Sequence, residues 1–168
     1  MIFYVKSNDS VPPCPSCRAH CLAYRDSRKR VSRLEGGMKR WLMIRRFRCS
    51  SCYALHTELP DCLIPYKHYQ TEIISGVIDG VVTQNDLECE DYPCFDTMWL
   101  WLAWFTQNLQ RIEGLLRKAL YEVSGNIQEL QCPSESLLQK LRQTTSNWLE
   151  QAIRTIYNSG GSLAPVRR

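Results

Sequence analysis

Two cysteine pairs, Cys14-Pro15-Ser16-Cys17 and Cys49-Ser50-Ser51-Cys52, constrain this chain more than any other feature. A Cys-x2-Cys turn presents two thiolates from one tight bend, and two such turns supply the four sulfurs of a tetrahedral zinc site. We therefore expect one structural Zn2+ on Cys14, Cys17, Cys49 and Cys52. The 31 residues between the pairs exceed the usual spacing, so the arm that joins them should be long. His20 or Cys21 could stand in for Cys17, His56 could stand in for Cys52, and Cys62 is a further competitor. A closed tetrahedral site has no room for a fifth donor, which favours the paired cysteines. A redox reading of the first pair lacks the surrounding βαβ pattern. Cys89 and Cys94 read as a looser buried pair, and Cys132 as solitary.

Redox setting and charge narrow the reading further. The N-terminus, Met1-Ile2-Phe3-Tyr4-Val5-Lys6, has neither the basic-then-apolar layout nor the cleavage site of a secretory signal, so a cytoplasmic location is expected. The most apolar stretch, Met98 to Phe105, is far shorter than the roughly 20 residues that span a bilayer, and no membrane partner is expected. The net charge is only +4, yet residues 18–48 hold eleven Lys/Arg against Asp26 and Glu35, leaving −5 for the rest of the chain. Charge pinned inside a metal-closed loop is held at fixed spacing, which suits a polyanion. The candidate nucleic-acid contacts are Arg25, Arg28, Lys29, Arg30, Arg33, Lys39, Arg40, Arg45 and Arg46. Lys67 and His68 join them at the expected entry to a helix, where the backbone favours anions.

The expected fold class is α+β: a small N-terminal β zinc ribbon with its basic loop over residues 1–64, then an α-helical domain over 65–158. Ile2 to Val5, Trp41 to Arg48 and Leu55 to Leu59 are β-prone, and Gly36-Gly37 marks a turn. Helical spacing predicts helices over about 66–78, 84–89 and 96–123, and a last one opening at Pro133-Ser134-Glu135-Ser136 and continuing through Tyr157. Residues 65–123 read as helix-turn-helix-like, 134–158 as a C-terminal helix and 159–168 as a flexible tail. Trp99, Trp101 and Trp104, beside Met98, Leu102 and Phe105, read as core.

Arg48-Cys49-Ser50-Ser51-Cys52, followed by His56, Leu59-Pro60 and Pro65-Tyr66-Lys67-His68-Tyr69, resembles the N-terminal zinc-ribbon and helix-turn-helix region of bacterial insertion-sequence transposases. It is also similar to a family of short bacterial zinc-ribbon proteins linked to mobile elements. The resemblance implies a third helix, opening over Pro93 to Trp101, that enters the major groove of double-stranded DNA.

No phosphate loop, nucleophile elbow or HExxH pattern is present, and Asp79, Asp86, Asp91 and Asp96 lie at helix ends and loops, so no enzyme is expected. The leading expectation is a DNA-binding accessory or regulatory protein of a mobile element. The alternative is an interaction subunit whose apolar helices dock on a larger recombinase, nuclease or polymerase, with RNA as a further contact. Homodimerisation through the C-terminal helices is the third arrangement.

Overall fold

The apolar run Trp41-Leu42-Met43-Ile44 finds its partner in a segment whose charge hides its strand character. The structure, a computed structural model, describes residues 1–4, 13–34, 37–83, 85, 93–125 and 136–165. Strand β1 (Ile2–Tyr4) is short, whereas β2 (Leu22–Arg33) and β3 (Lys39–Cys49) form a long antiparallel hairpin. β4 (Leu55–Leu59) pairs antiparallel with β3 and parallel with β1, giving the order β1-β4-β3-β2. The helices are α1 (Thr71–Ile78), α2 (Phe95–Ser124), α3 (Leu137–Thr144) and α4 (Trp148–Asn158). The fold class is α+β.

Two-residue alternation sends Tyr4, Ile44 and Leu59 to one face of the sheet. There they join Leu63, Ile64, Ile74, Trp104, Ile153 and Ile156 in one hydrophobic cluster. Full burial of a large apolar side chain contributes about 1.5–3 kcal/mol, so this shared cluster binds the sheet to the helices. The outer edge of β1 is closed by a side chain. Asn158 accepts from the Tyr4 N–H at 2.8 Å and donates to the Tyr4 carbonyl at 2.9 Å, as a neighbouring strand would.

Helix α2 buries Met98, Trp101, Trp104, Phe105, Asn108, Ile112, Leu116 and Ala119, a stripe at three- and four-residue steps. Trp101 and Trp104 are core, as expected, but Trp99 is 57% exposed because it points away from that stripe. Gly125 ends the helix in the left-handed conformation, at φ 64°, which a residue without Cβ adopts freely.

Several boundaries differ from the sequence expectation. Helix α1 starts at Thr71 rather than near Tyr66, because the preceding residues pair with the hairpin: the Arg33 N–H donates to His68 O at 2.7 Å and the Gln70 N–H to Arg33 O at 3.1 Å. The C-terminal helix is two helices. Thr144 and Thr145 turn their hydroxyls onto Leu141 O, at 3.3 and 3.1 Å, and Thr145 is extended. Such back-bonding by Thr competes with helix continuation. The short helix expected over 84–89 falls outside the described residues, Asn85 excepted. Of the expected flexible tail, residues up to 165 are described, and there Asn108 Nδ2 donates to Ala164 O at 3.1 Å, and the Ala164 N–H donates to Asn108 Oδ1 at 2.9 Å. No described helix is long and apolar enough to cross a membrane.

Glu113 of α2 builds the start of α3. Its carboxylate accepts from the N–H groups of Leu137 (2.9 Å) and Leu138 (3.1 Å) and from Ser136 Oγ (2.9 Å). Burial raises its pKa, but these donors and Arg117 outweigh that and hold it below the ordinary glutamate range. A depressed carboxylate stabilises the fold above its unfolded pKa, and that contribution is lost as pH falls through the folded one. Glu113→Ala should therefore cost about 1–3 kcal/mol near neutral pH, as for a lost cap with stranded donors. Thermal melts would show the deficit shrinking as pH falls below the ordinary glutamate range and closing once it passes the depressed folded pKa, where wild type is protonated as well. An equal deficit at pH 3 and pH 7 would contradict this account.

Candidate metal centre and basic hairpin

Each cysteine pair sits in a turn of the same construction. In the first, the Arg18 N–H donates to Cys14 O (2.8 Å) and the Cys14 N–H to Ala19 O (2.9 Å). In the second, the Tyr53 N–H donates to Cys49 O (3.0 Å) and the Cys49 N–H to Ala54 O (3.1 Å). The residue four after the leading cysteine is left-handed in both, Arg18 at φ 62° and Tyr53 at φ 59°. That conformation is disfavoured for these residue types, so its repetition marks two turns held for a purpose.

The two turns face each other. Their four sulfurs, two from each pair, all lie within 4.8 Å of one another. Cys14 Sγ is 3.7 Å from Cys52 Sγ, and Cys17 Sγ is 3.6 Å from Cys49 Sγ. Four sulfurs on a tetrahedral zinc, each about 2.3 Å from the ion, stand roughly 3.8 Å apart. The arrangement is thus close enough to hold a metal ion and compatible with zinc. The hairpin accounts for the long gap in sequence, since β2 begins just after Cys21 and β3 ends on Cys49.

Crowding separates the thiols. Burial raises Cys14, but the N–H groups of Cys17 and Ser16 and the neighbouring thiols bring it down to about 7. Cys49 is pushed up to about 12: the Cys52 N–H lowers it, and burial with the Cys21 and Cys17 thiols overrides that. Sulfurs that cannot all ionise together are the setting in which a divalent cation binds by displacing protons.

Of the alternative donors, two touch the site. His56 is fully buried, and its Nε2 lies 3.3 Å from Cys14 Sγ. Burial, then the N-terminal ammonium, hold its imidazole below the ordinary range. With its proton on Nε2, the neutral ring donates to the Cys14 sulfur, as an outer-shell partner would to a metal-bound thiolate. Cys21 Sγ lies 3.3 Å from Cys49 Sγ and 3.2 Å from Ser51 Oγ. His20 is exposed, and Cys62 sits before α1, where its carbonyl accepts from the Thr71 N–H. Cys94 is exposed, and Cys89 and Cys132 lie outside the described residues. Cys21→Ser should accordingly leave one metal bound per chain, whereas Cys17→Ser should weaken binding by more than roughly a hundredfold, beyond the usual cost of losing an outer-shell partner. Titration with a competing chromophoric chelator reads both, and equal losses would make Cys21 a ligand.

The basic residues divide into two groups. Arg30 donates to Ile64 O (3.1 Å) and Lys67 O (2.7 Å), and Arg33 donates to Tyr69 Oη at 3.1 Å. Arg45 pairs with Glu58 through two contacts, one of 2.6 Å, and Arg46 pairs with Asp26. Lys67 lies 4.4 Å above the Trp104 ring, where burial pushes its ammonium down to about 8. Because α1 starts at Thr71, Lys67 and His68 precede the helix rather than open it. Arg25, Arg28, Lys29, Lys39, Arg40 and His68 are exposed.

Strand register reveals a face that the charge pattern alone does not. Lys29 is opposite Met43, Val31 opposite Trp41, Arg33 opposite Lys39 and Ser27 opposite Arg45, and facing residues share one side of a sheet. On that side Tyr24, Trp41 and Met43 are 60%, 67% and 61% exposed. Large apolar groups therefore stand in solvent among Lys29, Lys39 and Arg45. The unbroken apolar run 41–44 gives no alternation from which sequence could tell the wet face from the dry one.

A family model described as Domain of unknown function (DUF6431) matches residues 14–101. The chain belongs to the DUF6431 family. The match begins on the first cysteine of the four-cysteine cluster and spans both turns, the hairpin, α1 and the first turns of α2. No curated protein and no solved structure is similar to this DUF6431 chain.

Proposed function

We propose that this DUF6431 protein is a zinc-stabilised DNA-binding protein without a catalytic step, in which the metal fixes the base of the β2–β3 hairpin and the hairpin engages the nucleic acid. The observation that carries this reading is the exposed hairpin side on which Tyr24, Trp41 and Met43 alternate with Lys29, Lys39 and Arg45. Cations contribute sequence-independent affinity through phosphates, while exposed aromatic rings have little reason to stay in water unless they contact bases, sugars or another apolar surface. A two-stranded ribbon is also of a size that the major groove of double-stranded DNA admits. The resemblance to the ribbon region of insertion-sequence transposases supports an accessory or regulatory role for a mobile element.

Fluorescence anisotropy with a labelled duplex, repeated from about 50 to 200 mM salt, tests the reading. A site neutralising several phosphates should lose affinity by orders of magnitude over that range. Trp41→Ala should weaken binding about tenfold without lowering the melting temperature. Salt-independent binding, or an inert Trp41, would count against the hairpin as the contact surface.

A further inference from the structure

On the other side of the sheet lies an open groove of about 600 Å³, within the size range of small-ligand sites. Its floor includes Ile2, Ile44 and Thr57, and its walls include Arg28, Tyr66 and His68. None of its lining residues among those described is acidic; Arg30, held on the carbonyls of Ile64 and Lys67, and Arg46, paired with Asp26, also line it.

Tyr66 is displayed there at a conformational cost. Lys67 N–H closes on Ile64 O at 3.2 Å, so Pro65 and Tyr66 are the central residues of a tight turn, and Tyr66 has φ 64°. With proline first and a positive φ second this is a type II turn, whose second central position favours glycine. A tyrosine holds it instead, with its side chain in solvent at 86% exposure. Arg30 clamps both ends of the turn through Ile64 O and Lys67 O, so one half-buried cation from the hairpin sets where the turn stands. Simple folding stability would favour glycine here, which leaves the ring to be explained by what it meets.

We propose that this groove binds one unpaired nucleotide of a nucleic-acid strand, its base against Tyr66 and the apolar floor, and its phosphate on Arg28 and His68. The inference rests on the hairpin reading above. Arg28 lies on the groove side of β2 and its neighbour Lys29 on the hairpin's outer side, and β2 is an edge strand, so a strand held along the hairpin can pass round that edge from Lys29 to Arg28. An apolar floor with an aromatic wall and a cationic rim matches a nucleoside phosphate better than it matches a bare anion.

The test uses the zinc-loaded full chain, labelled oligo(dT) and a duplex of equal length. Tyr66→Gly should weaken oligo(dT) binding about tenfold, the usual scale for losing one stacked base, while duplex affinity holds. Its melting temperature should stay level or rise, because glycine relieves the positive φ. Tyr66→Phe keeps the ring and should bind as wild type does. Unlabelled dTMP that displaces oligo(dT) only at millimolar levels supports a strand-borne nucleotide. Displacement at micromolar levels would overturn that in favour of a free nucleotide, and equal displacement by inorganic phosphate would overturn base recognition. Unchanged oligo(dT) binding by Tyr66→Gly sinks the groove alone, provided that the wild-type chain still binds duplex with a salt-dependent affinity. Failure of the wild-type chain to bind either probe sinks both readings.

Discussion

Stripping zinc from the folded chain should unravel the sheet end of the molecule and lower its melting temperature by well over 10 °C. Structural zinc sites bind with apparent free energies of about 10–16 kcal/mol, and where the unfolded chain lacks the site that binding stabilises the fold. The other ties of the two turns, the Ser50 N–H to Cys21 O and Arg18 to Glu122 and the carbonyls of Asn158 and Ser159, are few hydrogen bonds at the surface, so the effect should be large. Phe3, Phe47 and His56 are 0%, 4% and 0% exposed, their rings packed edge to face, and His56 lies directly against Cys14. Opening the turns would leave these groups facing water and the hairpin without an anchor at its base. Retention of zinc should fail as pH falls and improve as it rises, since each ligand must give up its proton. Calorimetry with and without a chelator, together with a zinc-sensitive dye during an acid titration, reads both effects. Cys14→Ser should reproduce the chelated state at neutral pH. An unmoved melting temperature would mean that the hydrophobic cluster shared by sheet and helices carries the fold without the metal.

How much of this is legible in the sequence depends on the range over which each feature is encoded. The four clustered cysteines are written in two local motifs, and each Cys-x2-Cys turn needs only its own few residues to form. Strand β2 does not read as a strand, because Leu22-Ala23-Tyr24-Arg25-Asp26-Ser27-Arg28-Lys29-Arg30-Val31-Ser32-Arg33 lacks apolar alternation and has a bulge between Tyr24 and Asp26. Its strand character comes from pairing with β3, including the Asp26–Arg46 ion pair across 20 residues. The break between α3 and α4 is hidden for another reason. Leu141 and Trp148 are seven apart, so the apolar period runs on across a segment whose Thr hydroxyls have turned to the backbone. The basic cluster is legible as a sum, but which cations are committed to Glu58, Asp26 or the carbonyls of Ile64 and Lys67 depends on tertiary register that no local pattern records.

That division of the cations gives the second large effect. Replacing Arg25, Lys29, Lys39 and Arg40 together by glutamine removes exposed charges whose loss should change stability little, since surface substitutions of this kind usually stay within about 0.5 kcal/mol each. Duplex affinity at low salt should fall on the order of a hundred- to thousandfold, and the slope of log K against log salt should shrink by about 3–4, or roughly 0.9 for each phosphate that is no longer neutralised. Arg30→Gln is the informative counterpart. Arg30 donates to Ile64 O and Lys67 O, so its replacement should lower the melting temperature while leaving most of the salt slope intact. If the two variants behaved alike, position on the hairpin would be irrelevant and only total charge would govern binding. If the fourfold variant kept the full slope, the phosphates would have to lie elsewhere, and the hairpin would be a scaffold rather than a binding surface.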